Sequence, residues 1–184
     1  MLSTATAFPA EYRAYSTPHL LAVFARAPER LRAAVADLSP DELRARPRPE
    51  KWSVAEIVCH LADSELMGAG RIRMVVAQSG PEFVSYDQDA FAAALGYRDD
   101  PPAFARALRL FELLRESTLA VFARTEAETW ERWGVHPDFG PVTLRNLLEL
   151  YADHGERHLG QILAIRAQLG KPLDVRLLLE QRLY

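Results

Sequence analysis

The chain has 184 residues, enough for one domain with a substantial core and too few for two halves that each bury their own. Its formal charge of −3 comes from 22 basic and 25 acidic residues interleaved along the sequence, so it lacks the basic block with which a protein grips nucleic acid. The single Cys59 excludes an intramolecular disulfide, and no apolar run has the length of a signal peptide or a membrane span. The expectation is a single domain over residues 1–184, cytoplasmic, with no nucleic-acid and no membrane partner.

Apolar residues recur at helical spacing throughout, while sustained alternating Val, Ile or Thr runs and Asn-Gly hairpin signals are missing. The fold class is therefore all-α. A first long helix is expected to open on Thr17 as N-cap with Pro18 in its first turn, and to bury Leu20, Phe24, Leu31, Val35 and Leu38. Pro28 should kink or divide it, because proline lacks the N–H that the preceding turn needs. After SPDEL and the stiff connector RARPRPEKW, Ser53 and Glu56 form a capping-box pattern. The second long helix then buries Ile57, Leu61 and Ile72 and stops at QSGP, near Gly80.

The segment PEFVSYDQDAFAAALGY reads as a loop and a short extra helix from about Asp87 to Leu95. A third long helix should start with Asp100 as cap and Pro101 and Pro102 in its first turn, burying Phe104, Leu108, Phe111, Leu114, Thr118 and Val121 or Phe122. The Trp-rich stretch TWERWGVHPDFGP is expected to be a loop leading to Thr143, the N-cap of a fourth long helix that runs to Leu169 and is closed by Gly170 and Pro172. Four long amphipathic helices make a four-helix bundle, with the order of its helices left open by the long connections.

The fourth helix carries YADHGERHLGQIL, in which His154 and His158 fall on the same stripe as Leu147, Ile162, Ile165 and Leu169. Both imidazoles then point into the bundle, where an unpartnered polar group costs roughly 1–3 kcal/mol. Hydrogen-bonded core histidines would meet that demand, and so would a divalent metal. The second helix adds His60, between Ile57 and Leu61 on its own buried stripe. Three imidazoles from two facing helices match a three-ligand catalytic site, whose remaining position stays open to water or substrate.

Three blocks in this order, WSVAEIVCHLADSELMGAGRIRMVV, YDQDAFAAALGY and GPVTLRNLLELYADHGERHLGQILAIRAQLG, resemble the DinB-like superfamily, especially its YfiT-like branch of candidate metal-dependent hydrolases. The resemblance covers about Leu20 to Pro172. It implies a four-helix bundle that holds one divalent metal, usually nickel or zinc, on His60, His154 and His158. It also implies a homodimer, to which the apolar stretch LDVRLLLEQRLY is expected to contribute. Some members of the superfamily are transferases that use low-molecular-weight thiols such as bacillithiol or mycothiol, which makes such a thiol a conceivable co-substrate here.

Asp63, one turn beyond His60, is placed to orient a ligand imidazole or a bound water, or else to form an interhelical salt bridge. Glu65 reads as a solvated or structural carboxylate. Arg71 recurs on nearly the same face as His60 and suits either an anionic substrate or, preferably, a carboxylate at the edge of the core. Gln161 suits a bond to a neighbouring helix or to substrate. His136 and His19 read as exposed, Cys59 as a small buried apolar residue turned away from His60, and Trp52, Trp130 and Trp133 as packing across helix ends. Two functions follow. In the first, the chain is a metal-dependent enzyme acting on a small molecule, a hydrolase or thiol S-transferase. In the second, it is a non-enzymatic stress-response or small-molecule-binding bundle.

Overall fold

The computed structural model describes residues 15–98 and 103–180. Helix α1, Thr17–Val35, is capped one residue earlier than expected: the Ser16 hydroxyl accepts from the His19 N–H, and Thr17 is the first helical residue. The Thr17 hydroxyl is engaged by Arg145 instead. Nor does Pro28 divide this helix. Proline at 28 cannot donate to the Phe24 carbonyl, and the buried guanidinium of Arg115 does so from a neighbouring helix, Nη1 lying 3.4 Å from that oxygen. A tertiary donor thus replaces the missing helical one.

The connector contains a five-residue helix, α2, Pro40–Arg44, which periodicity is too coarse to detect although Ser39 and Glu42 form a capping box. The expected Ser53–Glu56 box opens α3, Val54–Ala77, and Arg46 holds the Glu56 carboxylate from outside. Asp87 caps α4, Gln88–Ala94, as its sequence implies. Helix α5, Ala103–Phe122, follows; its expected cap Asp100, with Pro101 and Pro102, lies outside the described residues. Thr143 caps α6, Leu144–Gln168, in a capping box with Asn146, and Gly170 ends it at φ +72°.

The Trp-rich stretch is more ordered than a loop. A 3-10 turn at Ala127–Glu131 leads into two short antiparallel strands, β1 Trp133–His136 and β2 Gly140–Thr143, paired from Trp133 opposite Thr143 to His136 opposite Gly140. The hairpin is pinned to the segment after α3, where Val135 donates to Pro81 (2.8 Å) and accepts from Phe83 (2.9 Å). The Phe83 ring lies so close to Gly134 that a Cβ there would sit 2.3 Å from it. Strands of four residues are at the lower limit at which alternation is readable, and the anchoring of this hairpin to the segment after α3 is tertiary.

The four long helices form a bundle in which α1 packs against α5 and α6, and α3 packs against the same two. The consecutive long helices α1 and α3 therefore lie across its diagonal, as do α5 and α6, and the connections that cross the ends carry α2 and the hairpin. Two apolar clusters fill the interior. One is built around Leu31, Ile57, Phe111 and Ile162, the other around Phe24, Ile72, Phe122 and Leu147. On α3, α5 and α6 several buried polar residues fall between the stretches that feed the two clusters: Ser64, Glu65 and Arg71, then Arg115 and Thr118, then Asp153, Glu156 and His158; His60 lies within the first cluster's stretch of α3 and Glu149 within the second cluster's stretch of α6.

Residues 173–180 lie on the bundle. Leu173, Val175 and Leu177 pack on the first cluster, and Leu178 and the buried Leu179 on the second. Arg30 and the Leu178 N–H both bond Glu156, which fastens this segment to α6. Of its apolar side chains Leu179 is buried, and Leu173, Val175, Leu177 and Leu178 are half-buried. Among the described residues no helix is long and apolar enough to cross a membrane.

Candidate metal centre

His60 lies on the buried face of α3 and is 2% exposed; His154 and His158 lie one turn apart on α6. The packing of α3 against α6 brings the three together. Nε2 of His154 is 3.1 Å from Nε2 of His60 and 3.1 Å from Nε2 of His158. One ligating atom from each residue fits within 4.8 Å of the others, and among the described residues no carboxylate or thiol joins the group. Two imidazole nitrogens on one ion at ~2.0–2.1 Å would be about 2.9–3.4 Å apart for bond angles of roughly 90–110°.

The donor set also suits a cation. His158 Nδ1 faces the Gln161 side-chain oxygen at 2.9 Å, which places the ring proton on Nδ1 and leaves the Nε2 lone pair directed at the cluster. A single N–H on His154 Nε2 could serve only one of its two neighbours, so without a cation one buried lone pair lacks a partner. Burial holds all three imidazoles neutral. The His60 pKa falls to about 4, chiefly through burial. That of His158 falls to about 3, through burial and then the nearby His60, and that of His154 falls well below its ordinary value, through burial and then His158 and His60. Neutral imidazole is the form that ligates.

Two cavities flank the triad. His158 lines the larger, about 460 Å³, with Trp52, Ile57, Gln161 and Ile165. His154 lines the smaller, about 220 Å³, with Arg71, Tyr151 and His136. Trp52 belongs to the site more than to a helix end, its ring 4.8 Å from that of His60. Tyr151 reaches the smaller cavity because Gly68 makes room: a Cβ there would sit 2.4 Å from the phenol ring.

The remaining candidates are distributed as follows. Asp63 accepts a hydrogen bond from the buried Tyr97 hydroxyl, and its carboxylate is not recorded on any of the three imidazoles. Burial and the Asp63 carboxylate push the Tyr97 hydroxyl far up its range, so it stays a donor. Glu65 is structural, paired with the fully buried Arg115 at 2.7 Å. Gln161 bonds His158 on its own helix. His136 is 6% exposed, on β1, against the expectation of an exposed loop residue. His19 is exposed and stacked on Tyr15, Trp130 stacks on Phe122, and Cys59 is buried. Sequence reasoning missed Tyr151 and Tyr97, whose aromatic rings read as core, and Arg115, which interrupts an apolar stripe.

The fold is a helical bundle in whose interior three imidazoles from α3 and α6 converge as a group that could hold a metal ion. The sequence profile of the DinB superfamily matches residues 24–162, and this chain belongs to that superfamily. A candidate metal-dependent hydrolase from Geobacillus thermodenitrificans is 30% identical over 164 residues, 88% of this chain and 90% of the relative. Another from Bacillus licheniformis is 31% identical over 146 residues, covering 79% and 82% of the two chains. Among solved structures, YfiT from Bacillus subtilis, described as a candidate metal-dependent hydrolase with an unusual four-helix bundle topology, superposes with a TM-score of 0.77 at 25% identity, over 85% of this chain and 90% of that one. A DinB-like protein from the same organism shares the fold, with a TM-score of 0.54 at 18% identity.

Proposed function

We propose that the chain is a metal-dependent hydrolase in which His60, His154 and His158 hold one divalent ion, zinc or nickel. The observation that carries this reading is the convergence of three neutral imidazole nitrogens, two of them 3.1 Å from the third, beside cavities large enough for a small molecule. Three nitrogen ligands do not distinguish zinc from nickel. Bound by three neutral ligands, such an ion keeps its full charge and supplies the Lewis acidity that makes water nucleophilic near neutral pH.

The chain's own residues do the rest. Gln161 fixes the His158 ring by accepting its Nδ1 proton, and Trp52 covers His60 and excludes water from that side of the cluster. The Tyr97 hydroxyl neutralises none of the site's charge but holds Asp63, so the carboxylate expected to assist His60 acts at one remove, through the packing of α3. A role for Asp63 in orienting the site is therefore that of a positioning residue.

A thiol S-transferase is the second reading, and the existence of two cavities, one lined by His158 and the other by His154, favours it, since two reactants need two seats. Elemental analysis of protein purified without a histidine tag is expected to find close to one ion per chain, falling to background in His154→Ala; unchanged content would overturn the metal site. Ester hydrolysis measured without thiol supports the hydrolase, whereas turnover that begins only when a low-molecular-weight thiol is added supports the transferase.

A further inference from the structure

The smaller cavity has a wall with a surplus of hydrogen-bond donors. Arg71 is 7% exposed, yet its recorded partners are all neutral: the Val84 carbonyl (2.8 Å), the Tyr151 hydroxyl (3.2 Å) and His136 Nε2 (3.3 Å). Among the described residues no carboxylate pairs with it, and its Nε has no hydrogen-bond partner. A buried cation without a counter-ion is costly, which is why such charges are normally paired.

Tyr151 accepts from Arg71, and its own proton has no recorded acceptor among the described residues. His136 adds a further excess. The Asp138 backbone N–H points at its Nδ1 (3.2 Å) while Arg71 points at its Nε2, and a neutral imidazole has only one acceptor nitrogen. Burial, and after it the Arg71 charge, keeps that ring neutral. The Asp138 carboxylate also borders the cavity, but its side chain is 67% exposed and its nearest recorded approach is 3.8 Å from His136 Nδ1.

We propose that this cavity is an anion subsite, in which a carboxylate of the small-molecule substrate is held by the Arg71 guanidinium and the Tyr151 hydroxyl. One uncompensated positive charge matches a monoanion better than a dianionic phosphate, and a guanidinium offers the planar donor geometry that a carboxylate accepts. The volume of about 220 Å³ is ample for a small carboxylic acid. Because His154 lines the same cavity, the group held there lies beside the triad; this assignment of a substrate class rests on the catalytic reading of that triad, while the binding itself does not.

The test is titration of the full chain with propionate, and in parallel with the isosteric but neutral propionamide and with inorganic phosphate, at constant ionic strength, followed by ligand-observed nuclear magnetic resonance. Saturable propionate binding at least tenfold tighter than propionamide or phosphate is expected. Arg71→Met should abolish it and Tyr151→Phe should weaken it several-fold, with circular dichroism confirming that each variant is folded. If Arg71→Met does not fold, Tyr151→Phe decides alone. Equal affinity in wild type and Tyr151→Phe, no saturable binding, or a preference for phosphate would overturn the proposal. Repeating the titration after chelation separates the two readings. Binding that survives supports the Arg71 subsite even if no metal was present to remove; binding that vanishes on chelation overturns the subsite and leaves the metal site standing.

Discussion

Gln161 plays at His158 the orienting role that the sequence offered to Asp63 at His60. By accepting the Nδ1 proton it fixes the tautomer that aims Nε2 at the cluster, and outer contacts of this kind typically change metal affinity about 10–100-fold. Gln161→Leu is accordingly expected to weaken metal binding by that factor in a competition with a calibrated chelator, without changing the helical content. His136 supplies a pH dependence at this scale. Burial and the Arg71 charge lower its pKa to about 4 from an ordinary 6.5, so below pH 6.5 the unfolded chain binds the proton more readily than the folded one. Its contribution to stability is complete above pH 6.5 and is lost as pH falls toward 4, a change on the order of 3 kcal/mol. Urea midpoints measured from pH 7 to pH 4 should fall less steeply in His136→Gln than in wild type; parallel curves would contradict the assignment.

Between helices, the largest single commitment is Arg115. It is fully buried on α5, donates to Glu65 of α3 (2.7 Å), to the Tyr151 carbonyl of α6 (2.7 Å) and to the Phe24 carbonyl of α1, and lies 3.8 Å from the centre of the Phe24 ring. One side chain thus ties all four long helices together. Arg115→Met should cost about 3–5 kcal/mol, because it strands the Glu65 carboxylate in the core, and adding Glu65→Gln should recover much of the loss. Chemical denaturation of the single and double variants measures both. Gly68→Ala is a second test of packing. The new methyl would have to displace the Tyr151 ring, so the melting temperature should drop, and propionate affinity with it, while the metal content stays unchanged.

At the scale of the molecule, the polar layer sits between two apolar clusters, and each cluster draws on all four long helices. With an apolar core on either side of the proposed metal site, the bundle is expected to fold without an ion. Chelation is expected to lower the melting temperature through the loss of a ligand bound only by the folded state, yet to leave the helical circular dichroism intact. Collapse of that signal on chelation would show the metal to be structural.

How much of this was readable beforehand follows from the range of the interactions concerned. Capping boxes at Ser53 and Thr143, the stop at Gly170 and the apolar stripes are set by residues within a turn or two of one another, so the sequence by itself determined the four long helices, their buried faces and the inward aim of His60, His154 and His158. The continuity of α1 through Pro28, the hairpin that buries His136, the diversion of Asp63 to Tyr97 and the pairing of Arg115 with Glu65 all depend on partners tens of residues away. Only the tertiary structure decided these. A local pattern states what a side chain needs, a donor, an acceptor or a counter-charge, and the diagonal arrangement of the bundle determines which distant residue supplies it.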